Sequence, residues 1–267
     1  MLRVTLVSVI TEVVIKQMPP GTKGKWPGAL RSFSGRLRWH CHFIQKLEDE
    51  PSIEFKNMHP AYDNLREPFF NDEYFNAWKS GHTGFPMVDA CMRALRATGW
   101  LNFRMRAMVM SFASYHLWLH WRAPALHLAT LFTDYEPGIH YSQVQMQSGT
   151  TGINAIRIYN PIKQSMDQDM EGTFIRRWVP ELRHMEATYI HTPWELPSAM
   201  NGYPMPIVDE KKARKAAADK LYGLRRGNRF HKQTAQQIVK KHASRRSPHP
   251  KKSIKSIQQS RQGELPL

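Results

Sequence analysis

At 267 residues the chain is long enough for one well-packed domain, or two. A 41% apolar and 11% aromatic content, with 8 Trp and 14 Met, supplies a sizeable core. The two cysteines, Cys41 and Cys91, exclude a disulfide framework and a four-thiolate iron–sulfur centre, and fit a reducing compartment.

The first sixteen residues are apolar but interrupted by Thr5, Ser8, Thr11 and Glu12, with no small-residue cleavage site. They read as a buried helix or strand rather than a signal peptide or membrane span, so a cytoplasmic protein with no membrane partner is expected. Residues 1–28 otherwise look irregular, with Pro19, Pro20, Gly21, Gly24, Pro27 and Gly28. From Ala29 to Glu50 the pattern turns helical, with Phe33, Leu37, Phe43, Ile44 and Leu47 near a 3.6-residue period. Ser52–Phe85 is polar and aromatic-studded, with short helical turns at most. Pro86 then opens a helix whose inner face carries Val88, Cys91, Met92 and Leu95, and Gly99 closes it. Asn102–Trp121 is apolar on nearly every side and is expected inside the domain, with Trp118 and Trp121 as an i, i+3 packing pair. A short helix follows from Pro124 to Thr133. Residues 134–160, rich in Gly, Gln, Ser and Thr, read as an ordered functional loop, and a last helical run covers Lys211–Arg225.

No strand pattern or internal repeat recurs, so the fold class is mainly α. Charge separates body from tail. Residues 211–267 hold 17 Lys/Arg against Asp219 and Glu264, a net of +15, which leaves only +1 for residues 1–210. The basic, Ser/Gln-rich run His242–Arg261 is expected to be disordered. Such a tail is either simply solvated or holds a polyanion through counterion release, without reading sequence. The expected divisions are residues 1–28, a partial N-terminal segment; 29–225, one helical domain; and 226–267, a basic disordered tail.

Two cations, Arg104 and Arg106, stand among Met105, Met108, Val109, Met110 and Phe112. A guanidinium buried there needs a carboxylate, a phosphate or water, because unpaired burial costs several kcal/mol, on the order of 3–5. A structural ion pair is one solution. The acidic candidates are Asp134 and Glu136 in the run Thr133-Asp-Tyr-Glu-Pro-Gly-Ile-His140. An Asp-x-Glu-x3-His spacing is a weak metal signal by itself, and a polar ring system held between Arg and carboxylates fits equally.

Five blocks keep a common order over residues 33–225. They are Trp78-Lys-Ser-Gly-His-Thr-Gly-Phe-Pro-Met-Val-Asp-Ala90, Met92-Arg-Ala-Leu-Arg-Ala-Thr-Gly-Trp100, Arg157-Ile-Tyr-Asn-Pro161, Phe174-Ile-Arg-Arg-Trp-Val-Pro-Glu-Leu182 and Pro206-Ile-Val-Asp-Glu-Lys-Lys-Ala-Arg214. Together they resemble the C-terminal FAD-binding domain of the photolyase/cryptochrome family. Arg36–Phe43, Asn102–Arg106 and Gln145–Gly152 are more similar to bacterial cryptochromes and prokaryotic 6-4 photolyases. The resemblance implies a helical FAD-binding fold, FAD as cofactor and ultraviolet-damaged DNA as partner. It implies light-driven repair, in which the excited reduced flavin passes an electron to a flipped-out lesion. By position, Arg106 and Asp134 match the pair beside the flavin, and Glu136 matches a second acid near its ring and ribityl chain. His140 falls where an Asn usually faces flavin N5, and Trp100 and Phe103 line the same cavity. Trp39, Arg104 and Gln164 match the mouth that receives the lesion.

The chain departs from the family pattern at its electron relay. Trp121 matches the middle Trp, but Val144 replaces the flavin-proximal one, with Tyr135, Tyr141 or Trp118 as alternative donors. The chain also starts just after the family's Thr-Ser-x-Leu-Ser phosphate-gripping segment, so that Leu6–Val13 resembles the helix that follows it. This implies an FAD site short of one wall, and weak FAD binding. Besides repair, the resemblance leaves open a cryptochrome-type photosensor and a flavin-free basic nucleic-acid-binding remnant.

Overall fold

The computed structural model describes Val13 and residues 26–242. The expectations for residues 1–12 and 14–25, which take in most of the stretch that begins at Leu6, and those for residues 243–267 lie outside that range. Among the described residues the regular structure is helical throughout.

Helix α1 runs Trp26–Asp49, starting three residues before the expected boundary. Short 3₁₀ turns follow at Pro51–Glu54, Pro60–Tyr62 and Glu67–Phe69. The segment expected to hold only short turns also contains a full helix, α2, at Asp72–Ser80. Its signals are local: Asn71 accepts from the Tyr74 N–H, Asp72 and Glu73 sit in the first turn, and Gly81 closes the end in the left-handed region. Helix α3, Pro86–Thr98, has the expected bounds and buries Val88, Cys91, Met92 and Leu95 completely.

Helix α4 covers Phe103–Ser111 and passes into one π-helical turn, Phe112–His116. The chain then turns sharply at Trp118, whose φ is 54°. Trp118 and Trp121 are therefore not an i, i+3 pair on one helix. Trp121 instead starts α5, Arg122–Leu131.

The expected loop 134–160 contains helix α6, Pro137–Ser148. Glu136 caps it, accepting from the Gly138 and Ile139 N–H groups at 3.2 and 2.9 Å. Polar composition hid this helix, because its polar residues are used inside the protein. Gln145, fully buried, accepts from the Met58 N–H at 2.7 Å and donates to the Ile53 and Lys56 carbonyls at 2.8 Å.

Helices α7, Pro161–Gln168, and α8, Thr173–Trp178, lead through further 3₁₀ turns to α9, Glu210–Arg225. The region expected to be tail then forms α10, Arg229–His242. Its start docks through His231, whose Nε2 hydrogen-bonds the Tyr62 hydroxyl at 3.0 Å and whose ring stacks on His59 at 4.2 Å. Its end docks through Lys241 and His242 on Glu50.

The main core packs α3 against α4, with Trp78 from α2 and Trp121 from the start of α5. Both indoles are wholly buried, and both N–H groups are satisfied: Trp78 donates to the Val109 carbonyl at 3.1 Å and Trp121 to Asn57 Oδ1 at 2.7 Å. Among the described residues no helix is long and apolar enough to cross a membrane.

Candidate functional site

Two close approaches build a cavity beside this core. Gly99, at φ 72°, ends α3 and accepts from the Thr133 N–H at 3.0 Å, and a Cβ there would lie 2.4 Å from the Thr133 methyl. The contact brings the 133–136 loop beside the start of α4. Gly138 lies so near the α1 backbone that a Cβ would stand 2.7 Å from the Phe43 carbonyl oxygen. The N-terminal turn of α6 can therefore rest directly on α1.

The cavity measures about 600 Å³, within the range of roughly 300–1,000 Å³ usual for small-molecule sites. Trp39 lines it from α1, and Trp100, Phe103 and Arg106 line it from the α3–α4 turn and α4. Asp134, Tyr135 and Glu136 follow from the loop, with His140, Gln143, Val144 and Gln147 from α6. The α6 residues, with Glu136, recur at helical spacing on one face. Gln143 and Gln147 were not expected there, because reading 134–160 as a loop concealed that face.

Arg106 and Asp134 meet in a forked pair, with two N–H···O bonds of 2.9 Å. The guanidinium is further held by donation to the Leu101 carbonyl at 2.7 Å and lies 4.2 Å over the Phe132 ring. Arg106 was expected in a buried, apolar helix, with Asp134 from the following loop as its partner. Their side chains are instead 26% and 53% exposed, because they open onto the cavity. Glu136 spends both carboxylate oxygens on the α6 cap. His140 is buried, and its Nε2 lies 2.9 Å from the Ala125 carbonyl, which can only accept. Nε2 therefore carries the proton, leaving Nδ1 as an acceptor. Burial lowers the basicity of the ring, and nearby Arg106 lowers it further, so His140 is neutral near pH 7.

Two residues expected at the mouth lie outside the lining, and the residue expected as the middle of an electron relay lies in the core. Arg104 is exposed on the first turn of α4, outside the cavity lining. Gln164 is buried in α7 rather than standing at the mouth, since α7 turns that face inward. Trp121 is enclosed in the core. Of the alternative aromatics, Tyr135 lines the cavity and donates to the Tyr141 hydroxyl at 3.3 Å, and Tyr141 donates on to Glu54 at 3.2 Å. Trp118 belongs to a separate cluster with Tyr62 and Tyr115. Among the described residues no group of three or more His, Cys, Asp and Glu could hold a metal ion.

The recognition block around residues 81–90 has a structural task. Asp89, wholly buried, accepts from the Thr83 N–H and hydroxyl at 2.8 and 2.7 Å and from the Gly84 N–H at 3.0 Å, and it also bonds the Tyr203 hydroxyl. It ties the turn before α3 to the segment before α9.

Comparison with known proteins agrees with this architecture. Residues 33–222 match the family model described as the FAD binding domain of DNA photolyase. The deoxyribodipyrimidine photo-lyase of Streptomyces griseus is 36% identical over 197 residues, which cover 72% of this chain and 42% of that protein. The chain thus spans less than half the length of such relatives. An archaeal photolyase from Sulfolobus tokodaii, solved with two FAD molecules, superposes with a TM-score of 0.67 at 32% identity, covering 72% of this chain and 44% of that one. A class III photolyase from Agrobacterium tumefaciens gives a TM-score of 0.68 at 29% identity, over 82% and 46% of the two chains.

Proposed function

The chain belongs to the family of the FAD-binding domain of DNA photolyase, and from that premise we propose that its 600 Å³ cavity holds the flavin end of FAD and presents it to ultraviolet-damaged DNA for light-driven repair. The observation that carries this reading is the forked Arg106–Asp134 pair on the wall of an otherwise largely aromatic and aliphatic cavity. The residues suit a flavin: each Asp134 oxygen keeps a free lone pair for a ring N–H, and the partly exposed guanidinium supplies positive charge for electron-rich ring atoms.

Bound there, reduced FAD supplies the light-driven electron that splits the lesion. The protein's part is to bind, orient and exclude water. Arg106 and Asp134 hold the polar edge of the ring, while Trp100, Phe103 and Phe132 provide flat apolar contact. Glu136 acts through α6, fixing the helix start that carries His140 and Gln143. His140 brings a neutral imidazole with Nδ1 free to accept a hydrogen bond. Trp39, Trp100 and Phe103 are 43, 56 and 68% exposed, an aromatic rim on which an extruded base can stack. Arg104, exposed beside that rim, adds positive charge toward phosphate.

Purified full-length chain tests this in two steps. An absorption band between the near-ultraviolet and blue that co-purifies or appears on adding FAD is expected, followed by recovery of ultraviolet-damaged DNA under blue light and not in the dark. Flavin binding without recovery of either a cyclobutane or a 6-4 lesion refutes repair and favours a photosensor. Absence of flavin binding overturns the site itself.

A further inference from the structure

Away from the cavity, Arg66 presents an electrostatic anomaly. Its side chain is 1% exposed, yet among the described residues no ion pair joins it to a carboxylate. Glu67, the nearest acid in sequence, is occupied elsewhere: it accepts from the Arg66 backbone N–H at 3.0 Å and faces His120 at 3.4 Å. The guanidinium donates from Nη2 to the Ser148 carbonyl at 3.0 Å, and its Nε has no partner. It lies 4.6 Å from the Trp118 ring and 5.7 Å from Tyr115.

Two further cations converge here. Lys220 stands 4.4 Å over the Trp118 ring. Arg225 donates from Nε to the Tyr62 hydroxyl at 2.9 Å and from Nη1 to the Asn154 carbonyl at 3.0 Å, leaving Nη2 buried and unpartnered. The Tyr115 hydroxyl and the Trp118 indole N–H are buried without partners as well. Tyr62, Tyr115 and Trp118 form one cluster under α9, so these donors share a neighbourhood. Arg66 is enclosed and Arg225 half-buried with an idle Nη2, while Lys220 stands at the solvent edge. Glu67 reaches Arg66 only through space, without an ion pair, so enclosed positive charge and idle donors are left under-compensated, which folded proteins avoid.

We propose that this junction between the 60–69 segment, the π-helical turn and α9 is a binding site for a small inorganic anion of the halide or phosphate class. Arg66 Nε and the Tyr115 hydroxyl donate to the anion, and Arg225 completes the charge. Trp118 is held at φ 54° with its ring between Arg66 and Lys220 and forms the apolar lid over the site.

The test is thermal unfolding of the full chain at constant ionic strength, with sodium gluconate replaced stepwise by chloride, bromide or phosphate. For a site of about 1 mM affinity, 100 mM anion is expected to raise the midpoint by about 5–10 °C relative to gluconate. Arg66→Gln and Arg225→Gln, measured separately so that one failure to fold does not end the test, should flatten the response. A bromide anomalous peak within hydrogen-bond distance of Arg66 Nε would place the ion directly. A response to chloride and bromide alone marks a monatomic site, and a response to phosphate alone marks an oxyanion site; either supports the proposal. Equal midpoints in all four salts, or an undiminished response in folded Arg66→Gln, overturn it and leave the donors to water.

Discussion

Arg106 and Asp134 are joined by two parallel bonds, yet both remain in partial contact with solvent. An ion pair so exposed contributes on the order of 1 kcal/mol or less to folding. Arg106→Ala should therefore fold, with a midpoint within a few degrees of the parent, while FAD affinity falls by about 10–100-fold through lost charge-assisted contacts. Arg106→Lys should lose most of this affinity too, since an ammonium cannot reproduce the fork. Flavin titration followed by thermal unfolding separates the two effects, and full flavin affinity in the alanine variant would remove Arg106 from the site. Asp89 should behave in the opposite way. It is wholly buried and accepts from two backbone N–H groups and two hydroxyls, so Asp89→Ala strands several buried donors at a cost of about 3–5 kcal/mol. Denaturant unfolding measures this, and a loss below about 1 kcal/mol would contradict the assigned role.

Helix α10 is the element whose stability depends most on pH. At its start the Ala61 N–H donates to His59 Nδ1 while His59 Nε2 faces the His231 carbonyl, so the His59 ring is neutral, and His231 Nε2 pairs with the Tyr62 hydroxyl. Burial depresses both, His231 to about 4, with the other ring and Arg225 adding to the shift at His231; Asp63 opposes it at His59. A histidine depressed in the folded state contributes its full stability above its unfolded value near 6.5 and loses it as pH falls toward the folded value. At the far end Glu50, partnered by Lys241 and His242 and with Lys46 and His42 nearby, is held below the usual carboxylate range. That contact is present above about pH 4.3 and is lost as pH falls through the folded value. Burial also depresses His242 and His42 at this far end, so acidification from pH 7 to 4 should loosen α10 at both ends. Hydrogen exchange of the α10 amides, read against α3, should show protection falling across that window; constant protection would exclude the mechanism.

For the molecule as a whole, the basic region now has two parts. Residues 229–242 carry a docked helix, and residues 243–267 hold six Lys/Arg against Glu264. Removing residues 243–267 should lower the slope of log affinity for DNA against log salt by about 5, if each of the six cations meets a phosphate, and leave the preference for damaged over undamaged DNA unchanged. Removing residues 226–267 should also destabilise the domain, because it uncovers His59 and Tyr62. Filter binding across a salt series with both truncations tests this, and loss of the lesion preference in the shorter deletion would give the tail a recognition role.

Much of this arrangement was legible in local signals. The apolar period placed α1 and α3, proline and glycine bounded α3, and the ordered family blocks identified the helical fold and a set of cavity residues from Trp39 to His140. Helix α6 escaped because Gln143, Gln145 and Gln147 look like loop residues until their buried partners are known. The placement of Gln164, the turn at Trp118 and the docking of α10 depend on contacts between residues far apart in the chain. So does the convergence of Arg66 and Arg225, 159 positions apart in the sequence. Residue type and spacing determine which segments become helices and which faces are apolar. Only tertiary packing decides which polar groups are enclosed, because burial, and with it the requirement for a partner, is a property of the assembled fold.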